Sequence, residues 1–163
     1  MTENEAAAFA VGGFLGTLLI GLLVFYILVV IAFWKIFKKM GEPGWKAIIP
    51  FYNVYIIYKR CWKTSMFWVT IIIALGAGIL ISAGGVTLTE TGYDTSHITA
   101  LGYVGAVVEF IAAVMGIMCE YFMYKSFGHG VGWLILSIFF PNIIALVLGF
   151  GSSQYIGNGS EMQ

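Results

Sequence analysis

Charge is scarce in this chain. Its 163 residues hold eight Lys or Arg and eight Asp or Glu, and the net charge is zero. That balance gives no footprint for nucleic acid, so nucleic acid is excluded as an expected partner. Cysteine is scarce too. Cys61 and Cys119 are the two present, too few for a disulfide framework. Both fall toward the expected reducing side and read most simply as free thiols. Several signatures are missing. HExxH, a P-loop and a dinucleotide fingerprint are all absent from the sequence. No HxxxH or CxxC spacing offers a metal site. No cofactor and no metal are expected.

Apolar residues are abundant. They make up 60% of the chain, more than a soluble fold of this size can hide, because small folds keep a large surface-to-volume ratio. A bilayer removes that difficulty, since one span needs roughly 20 mainly apolar residues. Residues 9–34 form an apolar run without charge, stopped by Lys35, Lys38 and Lys39. The acidic start, with Glu3 and Glu5, lacks the basic n-region of a secretory signal, so the run is expected to be retained as a first span. Further spans are expected at about 66–86, 100–124 and 131–150, the last interrupted by Pro141-Asn142. The polar tail, 151–163, is expected to be frayed. The fold class is thus an all-α membrane protein, a single four-span helical bundle over 1–163.

The basic residues are concentrated. Seven of the eight lie between Trp34 and Lys63, with Glu42 as the one acid there. Residues 35–65 therefore read as a cytoplasmic loop. Within it, Gly41-Glu42-Pro43-Gly44 signals a turn. Residues 47–58 are apolar but too short to span, which fits an interfacial or re-entrant segment. If that segment is one helix, Lys46, Asn53 and Arg60 share a face. Lys38, Lys39, Trp45, Lys46, Lys59, Arg60, Trp62 and Lys63 are the expected contacts to the inner leaflet and to anionic lipid headgroups. With four spans, the positive-inside rule puts both termini outside. If Pro141-Asn142 instead makes the fourth run a re-entrant hairpin, the C-terminus moves inside.

Small residues mark packing faces. Gly12 and Gly16 form a GxxxG in the first span. In the third, Gly102, Gly105, Glu109, Ala112, Ala113, Gly116 and Glu120 recur at helical spacing, so this stripe is expected to face the bundle and carry both glutamates inward. A carboxylate at bilayer depth costs roughly 2.5–3.5 kcal/mol on insertion scales, which makes Glu109 and Glu120 candidate ion or proton sites. They stand about 16 Å apart along a helix, too far to share one proton or metal. Glu120 is close enough in sequence to pair with Lys125. The outer loop, 87–99, carries Glu90, Asp94 and His97 and reads as solvated.

A short internal match is also visible. Trp34-Lys35-Ile36-Phe37 leads to Gly44-Trp45 and Pro50, and Tyr124-Lys125-Ser126-Phe127 leads to Gly132-Trp133 and Pro141. A two-fold repeat and coincidence both fit it.

The pattern GWKAIIPFYNVYIIYK, a Phe-Gly-x-Gly turn at Phe127 to Gly130 and a final LGFGSSQY resemble a group of small bacterial integral-membrane proteins, some described as signal-peptidase-like. The resemblance covers about 34–63 and 124–155. It implies a membrane domain in a bacterial inner membrane, without established activity, and carries no catalytic residues. Signal-peptidase chemistry needs a lysine within reach of a serine at the outer face, and on this topology no lysine lies outside. A Ser–His pair drawn from Ser82 or Ser137 with His97 or His129 has only membrane depth in its favour. An enzyme is therefore not expected. The expected function is a small non-enzymatic membrane module that associates with itself as a homo-oligomer or with another membrane protein. The alternative is a small oligomeric ion channel or proton-linked transporter using Glu109.

Overall fold

The computed structural model describes residues 3–89 and 92–162, and the side chains of these apart from 3–11, 87 and 88. Helix α1 runs Glu3–Lys39, and a 3₁₀ helix Gly44–Ile48 follows. Then come α2 (Tyr52–Cys61), α3 (Thr64–Ala83), a two-stranded hairpin β1 (Thr87–Thr89) and β2 (Gly92–Asp94), α4 (Ala100–Lys125), α5 (Val131–Phe139) and α6 (Pro141–Phe150). Among the described residues, three helices are long and apolar enough to cross a membrane: Gly12–Lys39 within α1, then α3 and α4. The fourth apolar run is not one helix. It breaks at Phe140-Pro141, and α5 and α6 are each too short to span. Pro141 occupies the first turn of α6, where its missing N–H costs nothing. The hairpin occupies part of the expected outer loop and pairs Thr87 with Asp94 and Thr89 with Gly92. Glu90 lies outside the described residues.

The chain forms two compact units. The first comprises residues 1–49 and 136–153. Here α1 packs along α6, and an added Cβ on Gly149 would stand 2.6 Å from the Ala32 carbonyl. Glycine is therefore needed for space at this crossing. Lys39 closes the carbonyl end of α6. Its Nζ donates to Leu148 O at 2.6 Å and Gly151 O at 2.8 Å, satisfying acceptors that a helix end leaves open. Lys35 Nζ lies 4.1 Å from the centre of the Phe150 ring. Gly44 packs under the Trp34 indole.

The second unit comprises residues 50–135 and 154–163. Its backbone is the antiparallel pair of α3 and α4, with α2 packed on both. The seam is built from small residues. Ala77, Gly84, Gly102, Gly105 and Ala112 are buried, and an added Cβ on Gly105 would stand 2.7 Å from Ile81 N. Thr99 N donates to Gly84 O at 2.8 Å and ties the end of α3 to the start of α4. At the other end Tyr58, Trp62, Phe67 and Cys119 form a buried cluster, with Trp62 against Tyr58 and Phe122.

The two halves of the chain repeat one plan. Each has a long helix, then a glycine at positive φ (Gly41, 74°; Gly128, 79°), then two short helices broken at a proline. The pairing is crossed. Helix α1 packs on α6, the last short helix of the second half, and α4 packs on α2, the last short helix of the first.

Candidate functional site

Three features of the second unit gather chemistry. The first is a cleft of about 680 Å³ lined by Ala74, Gly78, Ile81, Ser82, Val86, Tyr93 and Glu109. Glu109 is exposed rather than packed inward. The inward line on α4 is Gly105, Ala112 and Cys119, spaced by seven, with Val108, Met115 and Phe122 partly buried at its edge. That spacing suits two long helices crossing at a shallow angle. Glu109 follows the edge residue Val108 and falls outside this line. Ala106, Ala113 and Gly116 share the exposed stripe with it, and a Cβ added to Gly116 would meet nothing within 4 Å. The expectation that both glutamates face the bundle is therefore corrected for Glu109. Glu120 is partly buried and accepts a hydrogen bond from Tyr124 Oη at 2.9 Å. Lys125, its expected partner, bonds instead to the carbonyl of Met162.

The second feature is a cleft of about 550 Å³ lined by Pro50, Phe51, Tyr52, Tyr55, Phe67 and Trp68. Tyr52 and Tyr55 stack at 5.8 Å, and Tyr55 meets the Phe67 ring edge-on at 5.4 Å. Phe51 has φ 62° and ψ −42°, and Tyr52 N donates to Pro50 O at 2.7 Å across it. This is the strained γ-turn, rare for a residue with a side chain. Such a backbone costs about 1–3 kcal/mol and persists only where its surroundings hold it. The turn also separates the 3₁₀ helix from α2, so Lys46 is not on one helix with Asn53 and Arg60.

The third feature is the tail. It is docked, not frayed. Tyr155 Oη donates to Arg60 O at 2.7 Å, Asn158 Nδ2 to Trp62 O at 2.7 Å and Ser160 N to Cys61 O at 3.3 Å, so the tail serves the carbonyl end of α2. Ser126, fully buried, is the other anchor. Its carbonyl accepts Ile156 N at 2.8 Å, and its Oγ accepts Gly159 N at 2.9 Å while donating to Phe122 O at 2.7 Å. Gly159 is packed so close to the Phe122 carbonyl that a side chain would overlap it. Cys61 is fully buried here. Burial pushes its thiol up to about 11, with the Ser126 hydroxyl and Arg60 offsetting part of the effect. At neutral pH it is a protonated, weakly nucleophilic thiol.

The expected lipid-contact residues divide. Lys38, Trp45, Lys59 and Lys63 are exposed. Lys39 is engaged at α6, and Lys46 pairs with buried Glu42 at 2.7 Å. Trp62 is buried in the core and does not present its ring to lipid. Gly12 and Gly16 keep open space, whereas Gly102 and Gly105 are consumed by the α3–α4 seam. Ser137 is buried, and His129 lies flat on Trp133 at 3.6 Å, with burial lowering its pKa. Sequence reasoning missed Ser126, Gly159 and Phe51.

Residues 45–158, well over half of the chain, match the model of a family of unknown function, DUF5684. The chain belongs to DUF5684. The DUF5684 match takes in both clefts, Glu109, Ser126 and the tail through Asn158. All of α1 lies before it. No curated protein and no solved structure matches the chain.

Proposed function

We propose that this protein is a non-enzymatic integral-membrane module that self-associates. It crosses the membrane three times, through α1, α3 and α4, and dips α5 and α6 back as a re-entrant pair. The docked tail supports that topology in place of four crossings. The tail bonds to Arg60, Cys61 and Trp62 and to Ser126 beside Lys125, all at the basic end of the second unit. The positive-inside rule makes that end cytoplasmic, so the C-terminus lies inside and the N-terminus outside. A broken helix at membrane depth is tolerated where protein covers its free backbone groups.

One observation carries the association. Glu109 is exposed on a membrane-length helix, flanked by Ala106, Ala113 and Gly116. A carboxylate facing hydrocarbon is costly, and small neighbours let another helix approach and cover it. The expected outcome is that Ala113→Leu and Gly116→Leu weaken self-association at least tenfold in nanodiscs, measured by dilution-dependent subunit exchange. Glu109→Gln keeps the side chain's shape and its hydrogen-bonding oxygen and should keep association intact. Wild-type association in both leucine variants would remove α4 from the interface between copies.

The 680 Å³ cleft favours a second reading. Glu109 with the hydroxyls of Ser82 and Tyr93 would line a path for protons or small cations. That reading requires flux in proteoliposomes that falls at least tenfold in Glu109→Gln. Equal flux in both proteins would sink it.

A further inference from the structure

We infer that the cleft between the start of α2 and the start of α3 is a binding site for one anionic phospholipid. The inference rests on the integral-membrane reading above and gives its basic loop a specific ligand.

Position argues first. Phe67 and Trp68 lie within two turns of the start of α3, about 6 Å along its axis from Thr64. That is the level where headgroups give way to hydrocarbon, and where aromatic rings with one polar atom settle. Charge argues second. Residues 50–68 hold Lys59, Arg60 and Lys63 and no Asp or Glu. Helical spacing puts Tyr52, Tyr55 and Lys59 on one face of α2. Lys63 directly precedes α3, one turn before Phe67. Lys59 and Lys63 are both exposed. The lysines suit a phosphate, and the ring-lined cleft suits the glycerol and upper acyl carbons.

Strain argues third. A γ-turn at a non-glycine residue is costly, yet here it holds Phe51 with 75% of its surface exposed. Burial of that ring within the chain does not explain the conformation. A ring displayed toward a ligand does, since strain of this kind gathers at binding sites. The cleft volume, about 550 Å³, falls within the usual range for small-molecule sites.

General anchoring by the aromatic belt would give no saturable, headgroup-selective site. Native mass spectrometry of the detergent-solubilised protein separates the two. It is titrated with phosphatidylglycerol and phosphatidylcholine of matched chains, and with glycerol phosphate. The expected result is one saturable phosphatidylglycerol adduct, at least tenfold tighter than phosphatidylcholine. Lys59→Ala with Lys63→Ala should weaken it at least tenfold. Phe51→Gly should weaken it several-fold while leaving the helical circular dichroism unchanged, because glycine accepts the turn without strain. Equal affinity for the two lipids overturns the proposal. So does indifference to the lysine pair, or full competition by glycerol phosphate, which would leave a phosphate site without a lipid. A protein that stays soluble without detergent would instead overturn the membrane reading itself.

Discussion

Gly84→Ala should lower the thermal midpoint of the detergent-solubilised protein by about 6–12 °C. An added Cβ there would overlap the backbone of Gly102, and neither chain segment can move aside like a flexible side chain. Overpacking of this kind costs about 3 kcal/mol at its upper range. For a chain of this size each kcal/mol shifts the midpoint by about 2–4 °C. The backbone at Gly84, φ −80° and ψ 7°, is open to alanine. The expected loss is therefore one of space, not of conformation. Gly78→Ala on the same helix supplies the control, since its added Cβ meets nothing within 4 Å. That variant should hold or raise the midpoint, because alanine favours a helix over glycine by about 1 kcal/mol. Equal midpoints for the two variants would show that α3 and α4 do not meet at Gly84.

The second large effect concerns the tail. Gly159→Val should expel residues 154–162, because its side chain would overlap the Phe122 carbonyl beside Ser126 Oγ. The readout is Cys61, which is fully buried and whose carbonyl accepts Ser160 N. In a Cys119→Ala background, maleimide labelling of Cys61 at pH 7.5 should rise at least tenfold. Two causes act together: access opens, and the thiol falls back toward its ordinary pKa as it is rehydrated, so its thiolate fraction grows. Ser126→Val should do the same, since it removes the acceptor for Gly159 N and leaves that donor buried. Slow labelling in both variants would mean that the tail does not cover Cys61.

Parts of this structure are legible in the sequence and parts are not. The membrane-length helices announce themselves because long uncharged runs have few alternatives to a span. Gly102, Gly105 and Ala112 are legible as a close seam because small residues recur there at helical spacing. Glu109 misleads for a physical reason. A stripe drawn by residue size includes it, whereas the seam follows a seven-residue repeat through Gly105, Ala112 and Cys119 and leaves it outside. The tail misleads more. Its glycines and serines suggest fraying, yet Gly159 is there to fit under the Phe122 carbonyl, and Asn158 is there to reach Trp62 O. Such order rests on acceptors at the ends of α2 and α4, far from the tail in sequence, which composition does not encode. Pro141 is legible as a break, whereas the docking of the tail that follows α6 is not. The internal match at Trp34 and Tyr124 is short in sequence, while the two halves share a plan of long helix, positive-φ glycine and proline-broken pair.

Topology is tested most directly by the membrane face from which Glu161→Cys is labelled. Glu161 is exposed, and native Cys61 and Cys119 are buried and should stay silent. An impermeant maleimide is applied to sealed vesicles of each orientation, with Lys63→Cys and Asp94→Cys as markers for the two faces. Three crossings with a re-entrant α5–α6 pair require Glu161→Cys to label from the same side as Lys63→Cys. Labelling together with Asp94→Cys would mean that the fourth apolar run crosses the membrane, and that the docked tail is not the arrangement found in lipid.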